Sequence, residues 1–156
     1  MGCKRMPARL IVYESTGHWA AILRRHLPDE VSLVQTRHLA DVDGYLGGRA
    51  ASIVAIEFKP ELAEVILAAL VKLQRQHPRT IAVVLAERGW SHWEDIVREA
   101  GAVHFITSPR QIRELVDIIQ MQMRLAQFGD SPRDGLPTEE RILQDLPWTR
   151  FASTVR

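Results

Sequence analysis

Residues 52–86 read SIVAIEFKPELAEVILAALVKLQRQHPRTIAVVLA. The first seven, Ser52–Phe58, and the last seven, Thr80–Ala86, are apolar at both odd and even positions. A half-exposed strand alternates apolar with polar, whereas a strand covered by helices on both faces reads as a continuous apolar run. Between the two runs, after Pro60, residues Leu62, Val65, Ile66, Ala69, Leu70 and Leu73 recur at helical spacing. That pattern predicts one apolar helix stripe lying on a sheet. Strand, helix and strand in this order make a right-handed crossover between parallel strands.

The same alternation continues outward. Arg9–Glu14 (RLIVYE), Val31–Gln35 (VSLVQ) and Val103–Thr107 (VHFIT) supply three more strands. Trp19, Ile22, Leu23, His26 and Leu27 form a stripe after the first, with His26 expected to be packed or partly buried. The segment from Thr36 to Leu46 is a weaker helix that holds Gly44 and ends at Gly47-Gly48. Ser91 and Glu94 fit a capping box for a fourth helix closed by Gly101. Ser108, Pro109 and Gln111 fit a second box opening a fifth, along which Ile112, Leu115, Val116, Ile119 and Met123 keep register. Five such alternations predict an α/β protein: a five-stranded parallel sheet in the flavodoxin-like order 2-1-3-4-5, in a three-layer sandwich. The domain is expected over residues 1–127. A Pro/Gly/Asp-rich linker over 128–137 and a C-terminal tail over 138–156 with a short helix follow.

Composition excludes several classes of function. The 156 residues carry 20 Lys plus Arg against 19 Asp plus Glu, so a basic nucleic-acid surface is not expected. No apolar run approaches the ~18 residues of a membrane span, and no secretory leader follows Lys4-Arg5. Cys3 is the single cysteine, which removes a disulfide framework and points to a reducing cytoplasm. The six histidines show no zinc-helix spacing, and no P-loop, G-x-G-x-x-G or G-x-S-x-G occurs.

In such sheets ligands bind at the carboxyl ends of the strands. The residues there are Tyr13-Glu14, Ile56-Glu57, Ala86-Glu87 and Thr107-Ser108. Glu14 and Glu57 are weak candidates for a magnesium site, since hard cations take oxygen ligands. The bland alternative is that they are solvated rim charges.

Gly101-Ala102-Val103-His104-Phe105-Ile106-Thr107-Ser108-Pro109 resembles the fifth-strand pattern of receiver domains in bacterial two-component response regulators, and the spacing of elements over residues 9–126 fits that family. The resemblance implies a phosphorelay switch fold, with Phe105 at the switch-aromatic position. It also makes the departures informative. The family's paired acids ending strand 1 are Tyr13-Glu14 here. Its phosphoacceptor aspartate is Glu57 or Ile56, depending on whether one counts from the strand start or back from Pro60. Its strand-4 hydroxyl residue is Ala86, and its fifth-loop lysine is Ser108. Phosphoryl transfer depends on positioning and on neutralising spread negative charge. The Ala86 side chain cannot hydrogen-bond a phosphoryl oxygen and Ser108 carries no charge, so the resemblance implies a degenerate, pseudo-receiver module.

What the resemblance implies is a module that is not expected to be an enzyme or to hold a cofactor, and that acts in the bacterial cytoplasm by contact with a protein partner. Ile118, Met121 and Leu125 form a second apolar stripe on the last helix, a candidate homodimer or partner interface, and Trp148 and Phe151 in the tail are further candidate anchors. The alternative comes from another class: a flavodoxin-like protein holding FMN or a small phosphate ligand on the Ser15-Thr16-Gly17 loop, with Trp90 or Trp93 stacking on the flavin. Against it stands the simpler role of Ser15 or Thr16 as a helix cap.

Overall fold

The computed structural model describes residues 9–47 and 52–128. The strands are β1 (Arg9–Tyr13), β2 (Ser32–Thr36), β3 (Ile53–Glu57), β4 (Ile81–Leu85) and β5 (His104–Ile106). The helices are α1 (His18–His26), α2 (Asp41–Leu46), α3 (Ala63–Gln76), α4 (Glu94–Glu99) and α5 (Ile112–Phe128), with 3-10 turns leading into α3, α4 and α5. All strand pairs are parallel and the order is β2-β1-β3-β4-β5. This is the doubly wound, flavodoxin-like sheet expected from the sequence.

Side-chain alternation divides the core into two layers. Ile11, Val54, Ile56, Ala82 and Val84 face α2, α3 and α4. Leu10, Val12, Ile53, Ala55, Val83 and Leu85 face α1 and α5. The central strands β1, β3 and β4 are buried along nearly their whole length, which is why their sequences lack polar alternation. The edges differ: β2 is half exposed and β5 has only three residues.

Several local expectations need correction. The buried stripe of α3 is Ala63, Ile66, Leu70 and Leu73, while Leu62 and Val65 face outward. Ala63 is small but sits where the helix meets the sheet, and the larger Val65 is displaced to the rim. His26 is exposed, its Nδ1 2.9 Å from the Ile22 carbonyl oxygen, rather than packed on the sheet. The Ser91 capping box does not form. Residues Arg88–Trp93 make a 3-10 turn, and Glu94 pairs with Arg98 one helical turn on instead of reaching back. Gly101 does close that helix with φ +120°, where an added Cβ would lie 3.1 Å from Gln74. The Ser108 box is complete, both of its reciprocal bonds being present.

Helix α5 continues through Phe128, the first residue of the expected linker. The rest of that linker and the tail, with Trp148 and Phe151, lie outside the described residues. Among the described residues no helix is long and apolar enough to cross a membrane.

Candidate functional site

Two glutamates at the carboxyl end of the sheet are both committed to the β1–α1 loop. Glu14 follows β1 and is fully buried. Its Oε2 accepts from the Trp19 backbone N–H and its Oε1 from that of Ala20, each at 2.8 Å. The first amides of a helix lack intrahelical partners and carry the positive end of the helix dipole. A buried carboxylate is costly unless hydrogen-bonded. Each group therefore answers the other's need. Gly17 makes the arrangement possible. At φ +85° it turns the chain so that α1 begins above Glu14, and it is the N-cap residue with no side-chain bond of its own.

The expected capping by Ser15 or Thr16 is thus corrected: Glu14 performs it from outside the helix. Ser15 is used elsewhere. Its backbone N–H donates to Glu57 Oε2 at 2.8 Å and its hydroxyl donates to the same oxygen at 2.9 Å. The Lys59 ammonium donates to Ser15 Oγ at 2.5 Å and lies 3.9 Å from Glu57 Oε2. The Glu57 side chain is only 14% exposed. Three donors or charges thus converge on it from two loops. Residues i and i+2 of an extended chain point to the same side, so the Glu57-x-Lys59 spacing is the sequence signal for a lysine beside this carboxylate.

The two counts for the phosphoacceptor position separate in space. Ile56 is fully buried against the α3 layer, and Glu57 stands at the mouth of the sheet. Tyr13 packs at the edge of the α3 layer, on the opposite face from Glu14. Ala86 is buried, and its N–H is bonded to the Ile106 carbonyl at 2.8 Å. Ser108 Oγ accepts from the Arg110 N–H at 3.3 Å, so its hydroxyl serves the start of α5. Phe105 points inward. It is buried in the α3-side layer and packs edge-on against Phe58 with ring centroids 6.5 Å apart, while Phe58 meets Trp93 at 5.2 Å.

A groove of about 640 Å³ opens over this end of the sheet, lined among others by Trp19, Glu57, Lys59, Ala86, Trp90 and Pro109. The small side chain of Ala86 forms part of its floor. Among the described residues no group of three or more His, Cys, Asp or Glu side chains is placed to hold a metal ion. For Glu14 and Glu57 as metal ligands the obstacle is physical. Both oxygens of the first face helix amides, and one oxygen of the second already takes two hydrogen bonds beside an ammonium group. The same bonds count against a flavin or other phosphate on the Ser15–Gly17 loop. Two amides at the start of α1 belong to Glu14, and the Ser15 amide and hydroxyl belong to Glu57. Trp93 is turned into the core against Phe58 rather than presented for stacking.

No protein-family model matches the chain, and no curated protein matches it. Solved structures do. An orphan response regulator of H. pylori is 21% identical over 77% of this chain and 99% of its own, with a TM-score of 0.60. A CheY-like protein (TadZ) of Pseudomonas aeruginosa PAO1 is 18% identical over 74% and 98%, with a TM-score of 0.64. An atypical orphan response regulator, described as revealing a phosphorylation-independent regulatory mechanism, is 22% identical over 74% and 95%, with a TM-score of 0.56. The chain shares the receiver-like, CheY-like fold of these structures.

Proposed function

We propose that this chain is a non-catalytic regulatory module, a receiver-like domain held in one state and acting in the cytoplasm by protein–protein contact without phosphorylation. The observation that carries this reading is the environment of Glu57. A receiver switches when a phosphoryl group on its acceptor gathers a hydroxyl and a cation. Here the carboxylate already holds the Ser15 hydroxyl and amide and lies beside the Lys59 cation. The cation comes from the β3–α3 loop, whereas the family pattern places it where this chain has Ser108. Glutamate also extends one methylene beyond aspartate, which lets it span to Ser15. With those partners made internally, an added phosphoryl group has no donors waiting for it. The inward Phe105, packed edge-on against Phe58, is consistent with a single packed state.

The contact surface is the outer stripe of α5. Met121 is 58% and Leu125 57% exposed, with Ile118 half-buried beside them. A helix that is apolar on two sides has a second partner to satisfy. Amide NMR spectra of the whole chain, with and without magnesium and beryllofluoride (a phosphoryl mimic), test the reading. The expected result is superimposable spectra. Concerted shifts at Glu57, Ala86, Ser108 and Phe105 would overturn it.

A further inference from the structure

The outward face of α3 is symmetric in position and opposite in charge about Ala68. Seven positions before Ala68 is Glu61, on the 3-10 turn that leads into the helix, and seven after is Arg75. Four before is Glu64 and four after is Lys72; three before is Val65 and three after is Val71. At about 100° per residue, the six that lie in α3 fall within roughly 60° of the line through Ala68, and Glu61 stands on the turn just before them. Glu61, Glu64, Ala68, Lys72 and Arg75 are exposed, Val65 is 56% exposed and Val71 is half-buried. Acidic residues occupy one end of the stripe and basic residues the other, with small apolar residues at the centre.

We infer that α3 is a self-association surface, on which a second copy of this chain packs its own α3 antiparallel about a two-fold axis at Ala68. A two-fold operation brings residue i onto the place facing its mirror position, so each contact is made twice. Glu61 then faces the partner's Arg75, Glu64 faces the partner's Lys72, and Val65 faces the partner's Val71. A parallel or offset arrangement would set like charges against each other. The shape agrees with the charge. Two shallow depressions lie on this side of α3. One, of about 490 Å³, includes Leu67, Ala68, Val71 and Arg75. The other, of about 230 Å³, includes Leu39, Val42, Val65 and Ala69. Helices pack with the ridges of one in the grooves of the other, and alanine at the crossing allows close approach.

Within one chain Lys72 pairs with Asp43, and His77 stands 3.6 Å from the same carboxylate. The three ammonium donors of Lys72 leave capacity for Glu64 across the axis. Glu61, Glu64 and Arg75 have no ion-pair partner within the described residues. The surface lies apart from the α5 stripe and stands independently of the function proposed above.

Sedimentation velocity of the full chain over a concentration series is the test. The wild type is expected to dimerise. Arg75→Glu or Glu61→Arg alone should weaken the dimer at least tenfold, and the two together should restore it. Met121→Glu, on α5, should leave it unchanged. Ala68→Cys in a Cys3→Ser background should give a disulfide-linked dimer under mild oxidation. Glu61, Ala68, Arg75 and Met121 are on the surface, so unchanged circular dichroism confirms folding. A wild type that stays monomeric at the highest concentration, a dimer indifferent to Arg75→Glu, a double variant that is not restored, or a dimer abolished by Met121→Glu would each overturn the inference.

Discussion

The Glu14 carboxylate, wholly buried, caps the backbone amide of Trp19 at 2.8 Å from five residues upstream. The cap ties β1 to α1 and consumes the acidic residue that a receiver would turn toward a metal. Glu14→Ala should therefore destabilise the fold by about 2–3 kcal/mol, since it leaves two buried amides without an acceptor. Urea denaturation of the variant measures this, and a loss under 0.5 kcal/mol would show that the cap contributes little.

The Ser15–Glu57–Lys59 cluster sits closer to solvent, so its members should contribute less. Ser15→Ala removes one hydrogen bond to a carboxylate and should cost about 1 kcal/mol. Lys59→Ala acts on a side chain that is 40% exposed, and screening should hold its cost to about 1 kcal/mol or below. Because the two share an oxygen network, the double variant should deviate from additivity in a double-mutant cycle. Strict additivity would mean that the cluster is a set of unrelated contacts.

Magnesium should find no strong site. Titration followed by tryptophan fluorescence, with Trp19 and Trp90 lining the groove beside Glu57, is expected to show no saturation below millimolar magnesium. Saturable sub-millimolar binding lost in Glu57→Gln would contradict this account of the carboxylates.

The α3 stripe offers a direct check on packing. Ile66→Ala removes a fully buried side chain between α3 and the sheet and should cost about 2–5 kcal/mol. Val65→Ser alters an outward residue and should stay within about 0.5 kcal/mol of wild type in the monomer. The sequence pattern treated the two as equivalent members of one stripe.

That last contrast shows where sequence reading stopped. The central strands were legible because β3 and β4 are apolar on both faces, as a sheet covered on both sides asks, and the order followed from the connection rules for five strand–helix alternations. The Ser108 box was legible because both of its partners lie within four residues. What depends on distant partners was not. Val65 and Ile66 both keep helical spacing, and only the docking angle of α3 separates them. Ser91 matches a capping pattern, yet Glu94 takes Arg98 as its partner. Ser15 reads as a cap, but a carboxylate 42 positions away claims its hydroxyl. At the candidate site the substitutions themselves were visible in the sequence. The Glu57-x-Lys59 spacing pointed to Lys59, but that Glu57 takes the Ser15 amide and hydroxyl became apparent only when β1 and β3 lay side by side.

The central claim is that Glu57 is held by partners inside the chain and accepts no phosphoryl group. Intact-mass measurement after incubation with acetyl phosphate and magnesium addresses it most directly. The account predicts a single species at the mass of the unmodified chain. A species carrying one added phosphoryl group, mapped to Glu57 and absent in Glu57→Gln, would contradict it.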